Sequence, residues 1–540
     1  MTLPRLILCG ALLIGLAADA LLRAGFNGIG FPIWVAILAL VTIAIARRDE
    51  RPTPREALGW LVVAVLAALG LAWRASEELQ AFDFLATVLA LGLAAVALGQ
   101  PGAAIIGARL RDTVWAGVRV LRDVFIGAIP LTLRELLAPG TRDAASRRGW
   151  PLIRTVLIVI ALLVVFGSLL RGADPIFASL LELPNVDIAS VLSHLLVIGF
   201  FAWVFTGWSR GAFISPATAS RPPERLPITL GMTDMTAALV TLDVLFALFI
   251  LAQLGWLFGG EAFLQARTGL TAAQYARRGF FQMVFVVLLV VPVLLATRTL
   301  RAPGAATARR HTQLAAPMVV LLLAMIASAA LRMRLYVQYF GLTTERFYTL
   351  AIMAWLAFVL AWLAATTLRG DDRRFVAGAV VSGFVTLFLL NVIVPDRVVA
   401  RVNVARAQRA TPTGGSSLDV EYLSTLGGDA MQAAIAATLA PPRLATAESP
   451  VVASAADAHS DSVSAQRCRA ARRIRTRWGP ASRAAMHSAE SAAWRRWNAG
   501  EQRAIRLAAE NATALLEVEH RTCPAARAVR GRPPLVDAYR

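Results

Sequence analysis

Residues 314–331 read LAAPMVVLLLAMIASAAL, a run of eighteen residues without a charged side chain. A bilayer core about 30 Å thick needs about 20 mostly apolar residues in one helix, so this run predicts a membrane span. Similar windows recur along the chain. In total there are eleven, at 6–22, 27–46, 57–73, 82–98, 151–170, 188–208, 236–258, 279–297, 314–331, 348–368 and 375–394. The sequence therefore predicts an all-α, polytopic membrane bundle of about eleven transmembrane helices.

The composition agrees with this fold class. Of the 540 residues, 57% are apolar and 16% are charged, against about 45–50% and about 25% in soluble proteins. The first window follows Arg5 and also fits a signal peptide, but a second apolar window begins within a few residues, which favours a span. We divide the chain into a membrane region of four spans at 1–150, a membrane core of seven spans at 151–410, and a helical tail at 411–540.

Arginine is unevenly distributed between the loops. Taken alternately, the loops 47–56, 99–150, 209–235, 298–313 and 369–374 hold 22 arginines, whereas the intervening loops hold nine. Arginine next to a span favours the cytoplasmic side, and long segments are exported largely regardless of charge. We therefore expect a cytoplasmic N-terminus and an extracytoplasmic tail.

The long loop 99–150 contains one regular pattern. Between 105 and 124 apolar residues recur at helical spacing, and charged residues such as Arg109, Arg119 and Arg122 fall between them. This pattern predicts an amphipathic helix on the inner leaflet, where arginines meet anionic lipids. A nucleic-acid partner is not expected, because charge is the only feature that would favour one.

The residue inventory excludes several chemistries. All 54 basic residues are arginine, so neither a Walker A loop nor a Schiff-base lysine exists. No H-E-x-x-H, G-x-S-x-G or C-x-x-C motif occurs. With three cysteines and five histidines, we expect no metal and no cofactor, and no catalytic motif supports an enzyme.

Four stretches in the middle of the chain have distinctive sequences. They are SLLRGADPIF at 168–177, Phe246, Phe249 and Gln253 with LFGG at 257–260, GLTAAQYARRGFF at 269–281, and LYVQYFGLTTERFY at 335–348. With these stretches, residues from about 150 to 430 resemble the bacterial polytopic membrane proteins of domain-of-unknown-function family 4173, which is akin to family 4153. The resemblance implies a multi-pass protein of the bacterial inner membrane. It implies no activity.

Two of these stretches echo each other. The triplet Gly-Leu-Thr occurs at 269–271 and again at 341–343, each time between two apolar windows. Threonine is a natural N-cap and the preceding glycine permits a sharp turn, so each triplet predicts a helix start, with Thr343 or Thr344 as the second cap. The triplets lead to the candidate functional residues Arg277, Arg278 and Arg346.

The echo has two interpretations. In the structural one, the aromatic residues that follow, such as Phe347 and Tyr348, belong to the aromatic belt at the membrane interface. In the functional one, two related hairpins frame a site, as internal repeats do in transporters. Both triplets would face outward, so we expect any binding surface on the extracytoplasmic side.

Polar side chains inside apolar windows are costly and are therefore candidate functional residues. Asp243 lies near the middle of its window, Gln253 lies ten residues further on, and His194 lies near the start of another window. Each could instead form a hydrogen bond to a neighbouring helix. In an outer loop, Asp174 could serve an outward-facing transferase, but Asp174-Pro175 is also a common helix stop and restart.

These features leave three functional hypotheses. The first is an envelope-associated accessory, sensor or assembly protein with other envelope proteins as candidate partners. The second is a carrier of a small ligand or lipid that uses Asp243, and the third is the transferase that uses Asp174.

The tail is rich in alanine and arginine and contains Cys468 and Cys523. Its stop signals predict helices at 464–477, 481–497 and 501–520. An extracytoplasmic tail would be in an oxidising compartment. The two cysteines can pair if Gly500 reverses the chain, whereas a continuous helix through Gly500 would hold them about 50 Å apart at about 1.5 Å per residue.

Overall fold

The computed structural model shows an α-helical bundle with a helical tail on one face. It describes residues 2–23, 25–51, 53–99, 110–131, 188–214, 230–268, 280–302, 304–409, 418–440, 450–479 and 493–523, with four single positions between 155 and 166. Within these ranges nine helices are long and apolar enough to cross a bilayer.

The first group of helices forms one apolar core. Its members are α1 (Leu3–Leu22), α2 (Gly30–Arg48), α3 (Arg55–Trp73), α4 (Glu77–Gly99), α5 (Leu110–Ile126) and α6 (Ile188–Phe213). A second core joins α7 (Met232–Thr268), α8 (Phe280–Leu300), α9 (Ala305–Phe340), α10 (Thr344–Ala365) and α11 (Asp372–Ile393). The two groups of helices meet where Trp60 of α3 packs against Phe384 of α11, with ring centroids 5.5 Å apart and the rings tilted by 47°.

Nine of the eleven sequence windows match these helices, with α7 and α9 extending nine or ten residues beyond their windows. Window 279–297 falls in α8, whose described apolar stretch Phe285–Leu300 is shorter than a full span. Window 151–170 lies outside the described residues, except for single helical positions. The all-helical membrane bundle is thus confirmed, and the described part of the chain supports nine spans.

The tail forms a third core. It contains α12 (Pro395–Arg409), α13 (Val420–Thr425), α14 (Met431–Leu439), α15 (Pro450–Trp478), α16 (Ala499–Glu510) and α17 (Ala512–Thr522). Leu342, in the loop between α9 and α10, belongs to the same cluster. The tail therefore packs directly on the ends of the spans.

The loops separate onto two faces. On the tail face, the backbone N–H of Ile29 donates to Trp497 at 3.0 Å, and the α3–α4 loop contacts the tail. On the opposite face, Arg51 donates to the carbonyl of Phe213, and Leu230 bridges to Arg301. The loops on the tail face belong to the arginine-poor set, and the loops on the opposite face belong to the arginine-rich set.

Helix α5 is amphipathic as expected, but its polar side faces the bundle. Arg119 and Asp123 are 4% and 2% exposed, whereas Phe125 is 65% exposed. The reason is a close approach to α6, where a Cβ on Gly207 would lie 2.3 Å from the carbonyl oxygen of Asp123. Arg119 is therefore buried against the bundle, whereas Arg122 is exposed. The outward face of α5 is mostly apolar, and anionic lipid as a partner of this helix stays a prediction.

The tail departs from expectation at two points. Helix α15 begins at Pro450 rather than near residue 464, and the expected helix at 501–520 is broken at Asn511. The Asn511 side chain donates to the carbonyl of Leu507 at 2.8 Å, which offers the backbone an alternative to continued helix. The break lets α17 lie along α15. Most of the expected helix at 481–497 lies outside the described residues, with a 3-10 turn at Ala493–Arg496.

Candidate functional site

A cavity of about 700 Å³ lies between the tail and the ends of the spans. We call it the tail–membrane cavity. Its floor comes from the α3–α4 loop, the α9–α10 loop and the start of α12, and its roof from α13, the turn after it and the end of α15. Among its lining residues are Glu77, Glu78, Tyr336, Thr344, Glu345, Arg346, Asp396, Tyr422, Gly427 and Arg477.

The α9–α10 loop is a tightly held turn. Gly341 has φ of +81°, a conformation that favours glycine. Asn403 of α12 accepts from the Leu342 N–H at 2.8 Å and donates to its carbonyl at 2.7 Å. Thr343 then caps α10 by accepting from the N–H of Arg346 at 3.4 Å. The predicted helix start at this Gly-Leu-Thr triplet is confirmed, and Thr343 is the cap.

Arg346 lines the cavity in a fixed position. Its Nη1 donates to the carbonyl of Gly341. Its guanidinium carbon lies 4.1 Å from the ring centroid of Tyr336, a cation–π arrangement. Of the three arginines singled out in the sequence, Arg346 is thus at the cavity, whereas Arg277 and Arg278 lie outside the described residues.

Two contacts connect the roof of the cavity to its floor. The hydroxyl of Tyr422 accepts from the N–H of Thr344 at 2.9 Å. Arg477 donates to Glu77 at 3.1 Å. Burial raises the pKa of Tyr422, so this hydroxyl stays neutral and keeps its proton.

Beside the cavity, a buried polar cluster fixes the tail to the α3–α4 loop. Asp429 accepts from the N–H of Ala75 at 3.0 Å and from Arg503 at 3.2 Å, and Arg74 lies 3.8 Å away. Asn498 donates to the carbonyl of Arg74 at 2.8 Å. Polar groups are costly to bury without partners, so these hydrogen bonds specify one position of the tail on the α3–α4 loop.

Asp396 is the buried carboxyl of the cavity. It is 2% exposed, and its Oδ2 accepts from the N–H of Gly427 at 3.0 Å. Burial, followed by the nearby charges of Glu78 and Asp429, raises the pKa of Asp396 to about 7, against the opposing effect of Arg477. This side chain therefore changes charge near neutral pH.

A second buried carboxyl, Asp83, lies one to two turns into α4. It is 1% exposed, and its Oδ1 accepts from Asn391 of α11 at 2.8 Å. Gly70 of α3 makes room for it, because a Cβ there would lie 2.1 Å from Asp83 Oδ2. This contact joins the two apolar cores of the membrane half.

Tyr348 and Ser76 connect the cavity floor to this region. Their hydroxyl oxygens lie 3.2 Å apart, and Tyr348 is 5% exposed. Phe347 is only partly exposed and packs against the tail core. The expectation that these two aromatic residues belong to an aromatic belt is therefore wrong, because the tail and α4 cover them.

The intramembrane candidates are apart from the cavity. Asp243 lies in α7, and its Oδ1 is buried with no hydrogen-bond partner among the described residues. Gln253 accepts from Ser328 of α9, and its Nε2 lies 3.9 Å from the sulfur of Met283 in α8. Gln253 is thus a contact between three helices.

His194 pairs with a residue on another span. Its Nδ1 lies 2.6 Å from Asp19 of α1, and Arg23 lies 3.1 Å from the same carboxylate. The His194–Asp19 contact joins α6 to α1, whereas Arg23 and Asp19 both lie at the end of α1.

In the tail, Cys468 of α15 is joined to Cys523 after α17, with Cα atoms 4.9 Å apart. Arg475 and Glu519 pair at 2.9 Å further along the same two helices, which are antiparallel. The remaining candidate, Asp174, lies outside the described residues, and its proposed role stays a prediction.

Most of the cavity has no signal in the sequence. Asp83, which does not line the cavity, is the lone carboxylate of the apolar window 82–98, and that isolation is the signal that identifies it. Asp396 and Tyr422 follow the last span and match no motif. Only the folded chain brings them to Arg346.

Comparison with known families gives one match. Residues 61–437 match the family model described as domain of unknown function DUF4153. The chain belongs to this family. The match covers the cavity from Ala75 to Gly427 but not Arg477 or Asn498. No curated protein and no solved structure matches.

Proposed function

We propose that this member of the DUF4153 family is an envelope-associated sensor or accessory protein of the bacterial inner membrane. In this proposal the N-terminus is cytoplasmic, the tail is extracytoplasmic, and a small polar ligand binds in the tail–membrane cavity. The observation that carries the proposal is that the cavity is lined both by the tail and by the ends of the spans. A ligand in it contacts the tail and the span ends together, so binding favours whichever arrangement of the two parts fits it best.

Three further observations support the proposal. The volume of about 700 Å³ is typical of small-molecule sites, which span about 300–1,000 Å³. The face opposite the tail carries the arginine-rich loops, as cytoplasmic faces do. The Cys468–Cys523 disulfide suits an oxidising compartment.

Orientation can be tested on the full chain by adding one free cysteine at a time, with Cys468 and Cys523 kept in their disulfide. In a Cys9→Ser background, Glu510→Cys places a thiol on the tail and Arg309→Cys places one on the opposite face, both at exposed positions. In intact cells, a membrane-impermeant maleimide should label the tail cysteine, and label the other only after permeabilisation. The reverse pattern would contradict the orientation.

The role of the cavity can be tested by filling it. Thr425 is exposed and lines the cavity, so Thr425→Trp should occupy the space without disturbing the core. Thr513→Trp is the matched control, since Thr513 is exposed on α17 and does not line the cavity. In a deletion strain, the control should restore the wild-type phenotype and Thr425→Trp should not. Full complementation by Thr425→Trp at normal abundance would refute the proposal.

A carrier is the second candidate, and Asp243 favours it. A carboxylate oxygen at bilayer depth with no partner among the described residues is a default candidate for an ion or proton site. This hypothesis expects Asp243→Asn to abolish function while Thr425→Trp preserves it. The two candidates therefore predict opposite results from the same pair of variants.

A further inference from the structure

The charge of the tail–membrane cavity is unbalanced. Four acidic side chains line it, against two arginines, Arg346 and Arg477. The four acids are Glu77, Glu78, Glu345 and Asp396. The kind of ligand that fits depends on which of these charges are already satisfied within the protein.

Both arginines have protein partners. Arg477 donates to Glu77 at 3.1 Å and lies 5.1 Å from the ring centroid of Trp478. Arg346 donates to the carbonyl of Gly341 and rests on the ring of Tyr336. Both guanidinium groups are therefore already bound to groups of the cavity wall, which disfavours a carboxylate or phosphate ligand.

Three carboxylates keep acceptor capacity. Glu78 accepts one hydrogen bond, from the Ser76 hydroxyl at 3.2 Å. Among the described residues, the carboxylate of Glu345 has no partner, and Asp396 has only the Gly427 N–H on its Oδ2. Asp396 is 2% exposed and lines the cavity, so its second oxygen can accept from a donor bound there.

The three carboxylates do not converge on one point as the ligands of an all-protein metal site do. In the described part of the chain, no group of three or more histidine, cysteine, aspartate or glutamate side chains is close enough to hold one. An ammonium group needs no fixed coordination shell. It offers three donors to separate acceptors and is attracted to aromatic ring faces such as those of tyrosine.

We propose that the tail–membrane cavity binds a small organic cation, whose ammonium groups are held by Glu78, Glu345 and Asp396. This inference rests on the proposed function and names its ligand class. Glu78 lies in α4, Glu345 in α10 and Asp396 in α12. A bound diamine would therefore bridge the ends of α4 and α10 beneath the tail.

The test uses the purified full-length protein in detergent and putrescine, a small diamine, as the probe. Binding is followed by tryptophan fluorescence, because Trp478 adjoins the cavity residue Arg477. Magnesium chloride and sodium glutarate at matched ionic strength are the comparison ligands. We expect saturable binding of putrescine, no binding of glutarate, and only a weak, non-saturating effect of magnesium.

Glu345→Gln is the decisive variant, because an exposed side chain can be changed without unfolding the protein. It should weaken putrescine binding about tenfold, the loss expected when one charge-assisted contact is removed. Glu510→Gln, an exposed acid outside the cavity, should leave binding unchanged.

Equal binding by both variants, saturable binding of magnesium, or absence of putrescine binding would each overturn the ligand class. Binding of glutarate would do the same and assign the cavity to an anion. The complementation test with Thr425→Trp is independent of these results. A failed putrescine titration with a non-functional Thr425→Trp would refute the ligand class and leave the cavity's role in place.

Discussion

Asp396→Asn removes the cavity carboxyl whose pKa is raised to about 7. The asparagine amide oxygen can still accept from the Gly427 N–H, which lies 3.0 Å from the present carboxylate. The substitution therefore removes the negative charge and keeps the hydrogen bond that connects α12 to the turn after α13.

The sign and size of the effect follow from the pKa. Because the pKa of Asp396 is raised to about 7, the folded protein holds this proton at pH values where the unfolded chain, with a pKa of about 3.9, has lost it. Stability therefore falls as pH rises from about 4 to about 7. By linkage, the wild-type protein should lose about 2–3 kcal/mol of unfolding free energy between about pH 5 and about pH 8 through this group alone.

The measurement is reversible unfolding in mixed micelles at four pH values, followed by tryptophan fluorescence. As the pH rises across this range, Asp396→Asn should gain about 2–3 kcal/mol of stability relative to wild type, because it lacks the titration. Glu510→Gln, with an exposed carboxyl, should run parallel to wild type. Parallel curves for wild type and Asp396→Asn would refute the reasoning, since the groups that face Asp396, namely Glu78, Asp429 and Arg477, are present in both.

Three further experiments test the packing of the cavity, the tail and the membrane half. Gly427→Ala should lower the free energy of unfolding by about 1–3 kcal/mol through overpacking, measured in the same micelles. Cys468→Ser with Cys523→Ser should cost about 2–4 kcal/mol, and reductant should lower the thermal midpoint of the wild type but not of this double variant. Asn391→Leu should cost about 1–3 kcal/mol by leaving Asp83 without its donor, whereas Asn391→Leu combined with Asp83→Leu should recover part of that loss.

Sequence alone could predict the membrane half because each span is a local property. The apolar windows, the alternation of the loops and the cap at Thr343 all depend on residues a few positions apart. The same reasoning reached Arg346, which lies beside that cap, and the amphipathic character of α5. It could not tell which face of α5 packs inward, because that depends on Gly207 in a different helix.

The cavity could not be predicted because its parts are distant in sequence. Gly427 and Asp396 are 31 positions apart, and Tyr422 and Thr344 are 78 positions apart. Single polar residues of this kind resemble ordinary loop or helix-end residues until the chain folds. The break at Asn511 is similar, since a run of good helix formers surrounds it and only the contact of α17 with α15 makes a bend favourable.

The contact between Arg477 and Glu77 spans 400 positions and has a consequence for biosynthesis. Every described span precedes the roof of the cavity in the chain, so the ribosome makes the floor first and the roof last. Until the tail has folded onto the span ends, Glu78, Glu345 and Asp396 lack the roof that Tyr422 and Arg477 provide. A ligand or partner that recognises the closed cavity therefore distinguishes a finished, oxidised protein from every nascent form of it.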